Sequence, residues 1–342
     1  MKNLSQSILV LPFLILTACT TIKQKPLAAT DKPINSGALH DAIKKVPIRV
    51  VAPSSGVELE SLAKLRSIET INFDIPDDIF VPGSPYHANS DEERFRQLQE
   101  AFLGHAPVVW SLRGGYGCTR LYDLLNTMEK PATPKIFVGY SDSTFLHLFL
   151  SRWGWQTIHA AGAAEVLDAN KKAKNFSHLF DILSGKIKSI QYGGFKPLNN
   201  AALSIDELKS SVIGGNMTIL TNSLGTPWQI QAQDKIVLVE DTGTRGYAVD
   251  RALNHLHQAK AFKGAAAIIF GSFSGDEHVD YALRRFAEAI DVPVFQCAKF
   301  GHQQKNYPLI FNTPTVIKKA ANKEGTYTLS MDTVGLSIES SH

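Results

Sequence analysis

The chain has 342 residues, 44% hydrophobic and 20% charged, with a formal net charge of +3. That balance excludes an intrinsically disordered chain, and so small a charge gives no footing for a nucleic-acid binder. The length suffices for two domains, and three cysteines are too few for a disulfide-built scaffold.

The first segment stands apart from the rest. Lys2 is followed by an apolar run from Ile8 to Leu16, interrupted only by Pro12, and then by Leu16-Thr17-Ala18-Cys19. The run is too short to span a bilayer. Its ending resembles the bacterial lipoprotein lipobox, which implies cleavage before Cys19 and lipid attachment to that thiol. Residues 1–19 are therefore expected to be a lipoprotein signal peptide, with the protein in the cell envelope, facing the periplasm or exterior. A secretory peptide cut near Ala18 and a buried N-terminal element are the alternatives. Residues 20–45 are rich in Lys, Thr, Ala, Pro and Asn without periodicity and read as a flexible tether. The folded body is expected from Val46. Cys118 and Cys297 read as buried thiols, with one bridge between them left open.

Ile48 to Val51 is a β-rich run closed by Pro53-Ser54-Ser55-Gly56 and followed by a weakly amphipathic helix from about Leu59 to Ile68. Ser90-Asp91-Glu92-Glu93 has the form of a capping box ahead of Phe95, Leu98, Phe102 and Leu103, which share a helix face. Val108 to Leu112 reads as a buried strand running into Arg113-Gly114-Gly115-Tyr116-Gly117, then a helix with Leu121, Leu124 and Leu125. Ile136 to Gly139 is another buried strand, and Phe145, Leu146, Phe149 and Leu150 follow at helical spacing. Alternating βα units of this length predict a parallel sheet covered on both faces, with ligands at the carboxyl ends of its strands. Residues 169–208 turn polar and read as an inter-domain crossover. A second α/β region follows over 209–335. Its buried strands are expected near Val212, Ile236 to Val239, Ala265 to Phe270, Val292 to Phe295, Leu309 to Ile317 and Thr326 to Leu329, and its helices near Tyr247 to Ala259 and Tyr281 to Ile290.

Ser141 sits at the bend between strand and helix, where its hydroxyl would be lifted out of the packed layer. The backbone N–H of Asp142 would lie at the helix N-terminus, where developing negative charge is favoured. The plain alternative is that Ser141 or Asp142 only caps the helix. Acyl transfer by a serine needs a base, a carboxylate to orient it and N–H donors for the oxyanion. Glu240 ends an otherwise apolar strand, where a carboxylate is costly unless paired, and His302 follows Gly301 in a loop. Each has a plain reading too, as a turn residue and a surface histidine.

Ala52-Pro53-Ser54-Ser55, Asp91-Glu92-Glu93-Arg94, Ser111-Leu112-Arg113-Gly114-Gly115-Tyr116-Gly117, Gly139-Tyr140-Ser141-Asp142, Gly214-Gly215-Asn216, Leu224-Gly225-Thr226-Pro227, Glu240-Asp241 and Gly301-His302 together resemble, in order and spacing, the LD-carboxypeptidase family of serine peptidases. The resemblance implies an N-terminal parallel-sheet, flavodoxin-like nucleophile domain over 46–168 and a smaller C-terminal α/β domain with a mixed sheet over 209–335, the active site lying at their junction. It implies a catalytic triad of Ser141, His302 and Glu240, and oxyanion donors at the backbone N–H groups of Asp142 and Gly115. It also implies cleavage of a terminal D-alanine from an L-centre of peptidoglycan tetrapeptides. The related microcin C immunity peptidase and a non-catalytic wall-binding lipoprotein are the rival readings. Arg113 is the cationic candidate for the substrate carboxylate, with Tyr116 and Asn216 as hydrogen-bond partners; a structural ion pair is the alternative for Arg113. Two departures bear on substrate preference. Ala160-Ala161 stands where many relatives carry Gly-Pro, and Gln303-Gln304-Lys305 follows His302.

Gly114-Gly115-Tyr116-Gly117 lacks the spacing of a dinucleotide fingerprint. His255 and His257, two apart on a helix, face different ways and make poor joint ligands. No metal and no cofactor are expected. The expected partners are peptidoglycan-derived peptides and, through the lipid, a membrane; association as a homodimer is left open.

Overall fold

The apolar runs and turns assemble two β-sheets in the computed structural model, which describes residues 41–321, 324–333 and 336. Cys19 and the lipobox-like run lie outside the described residues, as does most of the expected tether. The tether's last residues, Asp41–Lys45, are instead a 3-10 helix. Ile43 in that helix is fully buried in the core, so the body starts before Val46.

The first sheet is built from β1 (Ile48–Val51), β2 (Phe73–Asp74), β3 (Val108–Ser111), β4 (Ile136–Gly139) and β5 (Thr157–His159). Between them run α1 (Leu59–Arg66), α2 (Asp91–Leu103), α3 (Tyr122–Leu125) and α4 (Thr144–Arg152). The strands are parallel in the order β2-β1-β3-β4-β5, the flavodoxin-like arrangement, whose strand order reverses at β1 and β3. Every residue of β3 and β4 is buried, as strands covered on both faces require. Their side chains alternate: Ile136 and Val138 enter one core, Phe137 the other. Ser90 caps α2 by accepting the Glu93 N–H at 3.2 Å. The expected reciprocal half of the box is replaced, because the Glu93 carboxylate pairs with Arg96 and the Ser90 N–H donates to Asn89 Oδ1 at 2.9 Å.

Beyond β5 come α5 (Ala169–Leu183), β6 (Ser189–Pro197), α6 (Asn200–Leu203), β7 (Glu207–Ser210), β8 (Val212–Asn216), α7 (Met217–Asn222) and β9 (Ile236–Asp241). The chain then forms α8 (Gly246–Gln258), β10 (Ala267–Phe273), α9 (Val279–Glu288), β11 (Val294–Gln296), β12 (Leu309–Phe311), β13 (Thr315–Lys319) and β14 (Tyr327–Asp332). The second sheet has eight strands, ordered β7-β13-β14-β6-β11-β10-β9-β8. Neighbours among β8 to β11 are parallel and the remaining pairs antiparallel, giving the mixed sheet expected.

Two segments depart from the sequence reading. The polar stretch taken as a crossover contains β6, which lies inside the second sheet. Its buried residues Ile190, Tyr192 and Phe195 are separated by exposed ones, the alternation of a strand with one wet face. The single strand expected from Leu309 to Ile317 is two. Asn312, at φ 58°, turns the chain so that β12 pairs antiparallel with β5 in the first sheet while β13 joins the second. Among the described residues no helix is long and apolar enough to cross a membrane. Cys118 and Cys297 are both free and buried.

Candidate active site

Gly139 ends β4, and the next residues make a 3-10 turn, Ser141–Ser143, that leads into α4. Ser141 sits at φ 60°, a left-handed conformation costly for a residue with a side chain and characteristic of a nucleophile held on a sharp strand-to-helix turn. The capping positions of turn and helix are Tyr140 and Ser143, and neither makes a side-chain cap bond. The turn is crowded from one side by the glycine loop after β3. A Cβ on Gly114 would lie 2.9 Å from Ser141 Oγ and 2.7 Å from its Cβ, so only glycine lets the loop pass this close.

Asp142 holds the loops together. Its fully enclosed carboxylate accepts the Ser54 hydroxyl at 2.6 Å and the Cys118 N–H at 2.8 Å, joining the loops after β1, β3 and β4 at the carboxyl edge of the sheet. Burial pushes the Asp142 carboxyl up, against the pull of those two donors. Buried Arg94 on α2 adds a second clamp, donating to the carbonyls of Pro53 and Gly117. Ser55 accepts the Tyr116 N–H at 3.3 Å and donates to the Tyr86 carbonyl at 2.6 Å.

Glu240, in β9, and His302, in the loop after β11, come from the second sheet. Oε2 of Glu240 meets Nδ1 of His302 at 2.7 Å. Two glycines make room for the carboxylate: a Cβ on Gly301 would lie 2.5 Å from Glu240 Oε2, and one on Gly271 would lie 2.9 Å from Glu240 Cβ. Burial disfavours the charge on Glu240, yet the two imidazoles facing it, His159 and His302, hold its carboxyl down to about 2. Burial likewise pulls His302 down, and the hydrogen bond and charge of Glu240 outweigh it, leaving the imidazole above its ordinary value. The two sheets meet here through Tyr140, whose ring lies against that of His302 with centroids 4.7 Å apart. The serine-bearing turn and the histidine–carboxylate pair thus share one edge.

The remaining expected residues divide. Gly115, at φ 117°, and Tyr116 stand exposed in the glycine loop. Arg113 is exposed and donates from Nη1 to the Gly56 carbonyl at 3.2 Å, a backbone partner in place of the ion pair considered for it. Asn216 is buried and engaged at both ends: Oδ1 caps α7 by accepting the Ile219 N–H, and Nδ2 donates to Asp241 at 3.3 Å. Its structural duties leave the amide turned into the protein. Ala160 and Ala161 are core residues, and the Ala161 carbonyl accepts the Trp110 indole N–H at 2.9 Å. Sequence reasoning gave no role to the side chain of Tyr140, to Ser54, or to His159, which is fully buried beside Glu240. No sequence signal singled out His159, which closes the short Thr157-Ile158-His159 strand.

Residues 48–160 match the LD-carboxypeptidase N-terminal domain and residues 209–317 the LD-carboxypeptidase C-terminal domain. A protein of Rickettsia prowazekii, provisionally named a carboxypeptidase, is 43% identical over 283 residues, spanning 82% of this chain and 89% of that one. The murein tetrapeptide carboxypeptidase of Pseudomonas aeruginosa is 28% identical over 274 residues, 76% of this chain and 89% of its own. The crystal structure of muramoyltetrapeptide carboxypeptidase from Oxalobacter formigenes shares the fold at TM-score 0.68 and 22% identity, covering 84% of this chain and 99% of that chain. An MccF-like protein from Bacillus anthracis does so at TM-score 0.69 and 20% identity, covering 84% and 96%. With both domain matches in chain order and the Rickettsia relative aligned over most of its length, the chain belongs to the LD-carboxypeptidase family of peptidases.

Proposed function

We propose that the protein is a serine carboxypeptidase that removes the terminal D-alanine from an L-centre of peptidoglycan tetrapeptides. The observation that carries the reading is the 2.7 Å bond from His302 Nδ1 to the buried carboxylate of Glu240, beside a serine held at φ 60°. With Nδ1 committed to Glu240, Nε2 is the nitrogen left to take the Ser141 proton. Ser141 Oγ then attacks the carbonyl carbon of the scissile bond, and the oxyanion is received by the backbone N–H groups of Asp142 and Gly115. His302 returns its proton to the leaving amine, D-alanine departs, and water hydrolyses the acyl-enzyme by the same relay. Glu240 stays ionised throughout and compensates the imidazolium. Arg113, exposed on the glycine loop and bonded through Nη1 to the Gly56 carbonyl, would pair with the substrate's free carboxylate.

Mass spectrometry of a digest tests this. The purified protein should release the last residue from a tetrapeptide ending in diaminopimelate or lysine followed by D-alanine, and cut the L-alanine-ended or amidated peptide far more slowly. Equal cutting of both stereoisomers would defeat the proposal.

A second reading has an observation of its own. Tyr86 and Tyr116 stand exposed beside the glycine loop in edge contact, centroids 6.2 Å apart, with His87 against Tyr116 at 5.3 Å. Such a platform would suit a nucleobase, as the microcin immunity type of peptidase requires. Cleavage of an aminoacyl-sulfamoyl nucleotide in preference to the tetrapeptide would select that reading.

We further propose that the protein is exported and lipidated at Cys19, on the strength of Leu16-Thr17-Ala18-Cys19 behind an apolar run. Cys19→Ser should move it from the membrane fraction to a soluble or unprocessed pool. Native protein found wholly in the cytoplasm would overturn this.

A further inference from the structure

Glu240 has two carboxylate oxygens, and the mechanism uses one. Oε2 is taken by His302, while Oε1 lies 3.7 Å from Nε2 of His159. Both side chains are completely buried. Among the described residues Oε1 has no hydrogen-bond partner, and neither ring nitrogen of His159 has one. A buried carboxylate oxygen and a buried imidazole nitrogen that lack other partners each carry a desolvation penalty, and closing the gap by about 1 Å satisfies both at once.

The surroundings leave His159 little else to do. His159 ends β5 directly beside Gly139 in β4, one residue before Tyr140 and two before Ser141. Its ring is walled by Tyr140 at 6.2 Å, His147 at 6.1 Å and Phe311 at 5.8 Å between centroids. His147 is already committed, Nδ1 to Thr157 at 2.8 Å and Nε2 to the Gly139 carbonyl at 3.0 Å. Among the described residues Glu240 is the one carboxylate within ion-pair distance of His159.

We propose that His159 is a positioning residue for the triad: carrying its proton on Nε2, it donates to Oε1 of Glu240 and fixes the carboxylate so that Oε2 faces Nδ1 of His302. The proposal rests on the triad reading given above. The carboxylate can otherwise rotate about its terminal bond, and a rotated Glu240 would no longer hold the His302 ring with Nε2 towards the serine. A proton shared with Oε1 also sets how strongly Glu240 attracts charge on His302. The N–H dipole of His159 points its positive end at Glu240 and opposes an imidazolium on the far side. The charged and titratable groups acting on this arrangement are Glu240 and Asp241 from β9, Glu165 after β5, His147 on α4 and Tyr140 on the turn.

Two substitutions and two readouts test it on the full-length protein. His159→Leu fills the space without a donor, and His159→Gln restores an N–H of similar reach. Leu should lower kcat by about 10- to 100-fold, less than the 10²–10⁴ attributed to a base itself, with KM within about twofold of wild type. Gln should recover most of that loss. Independently of any substrate, the imidazole NMR titration of His302 should move to higher pH in the Leu variant and return in the Gln variant. This second readout separates a failure here from a failure of the tetrapeptide assay. A folded Leu variant with unmoved His302 titration would overturn the proposal, as would equal losses for Leu and Gln tracking a lowered Tm. Should either variant fold poorly, ¹⁵N-histidine spectra of the wild type decide. They must show a buried histidine protonated on Nε2 whose resonances move in Glu240→Gln, and a His159 protonated on Nδ1 would end the proposal.

Discussion

At the scale of single residues, the site turns on how burial and charge divide the work at Glu240 and His302. On the proposed triad, because Glu240 outweighs burial and raises His302 above its ordinary 6.5, the base would be protonated, and idle, to a higher pH than a free histidine. The acid limb of the kcat/KM profile should therefore have its midpoint above 6.5. Glu240→Gln removes the largest of the groups that raise His302 and leaves burial with the weaker pull of Asp241 and Glu165, so the limb should shift to lower pH while turnover falls by up to about 10⁴-fold. An unmoved limb in that variant would mean that the carboxylate does not set the base. Folding stability runs the other way for the carboxyl: held down to about 2 from 4.5, Glu240 stabilises the fold above 4.5, and that contribution fades as pH falls towards 2. If Ser141 and His302 act as the unit proposed, Ser141→Ala, His302→Ala and their double variant should each lose roughly 10³- to 10⁶-fold in turnover, the double barely worse than the singles.

At the scale of elements, the site depends on how closely loops and strands can approach. Gly301 has φ 115°, and a Cβ there would fall 2.5 Å from both Glu240 Oε2 and Ser272 Oγ. Gly301→Ala should cut kcat at least about 100-fold by pushing the carboxylate off His302. Gly225→Ala provides the contrast: its φ is 72°, but nothing lies within 4 Å, so it should cost only about 1 kcal/mol of strain and spare kcat. Steady-state kinetics beside a thermal melt separates the two, and parallel behaviour would sink the steric argument. Gly215 serves the same end between β8 and α4, since a Cβ there would lie 2.4 Å from Thr144 Oγ1, which accepts the Asn216 N–H at 2.9 Å. That contact seats β8 directly on α4. Hence α4, read from sequence as a helix with one apolar face, is buried at every residue from Thr144 to Leu150.

For the whole molecule, the two apolar cores each draw on both sheets. One contains Val50, Val138 and Ile158 with Leu238, Ile269 and Leu329, and the other Val109, Phe137 and Phe145 with Ile213, Val237 and Ile268. The first sheet also borrows its edge strand β12 from far along the chain. A fragment ending at residue 168 would leave the outer edge of β5 without its partner β12 and the face of α4 under β8 exposed. It should fail to melt cooperatively and should aggregate, as judged by circular dichroism and size-exclusion chromatography. A monomeric fragment with a sharp melt would show that the first sheet is self-sufficient.

The alternating βα order, the serine on its bend and the family are legible in the sequence, because these rest on local signals. Apolar runs closed by glycine or small polar turns are short-range patterns, and Gly139-Tyr140-Ser141-Asp142 states its strand-to-helix turn within four residues. Which side chains meet depends on the fold. The family resemblance named His302 and Glu240 as partners, but their meeting across 62 residues follows from β9 and the loop after β11 sharing one sheet edge, which no spacing encodes. The same holds for Asp142, whose partners Ser54 and Cys118 arrive from separate loops, and for His159, whose place beside Glu240 comes from the end of the short strand β5. Burial of a polar group is free of penalty only where the fold supplies its partner. Which partner that is depends on contacts between segments that are distant in the chain.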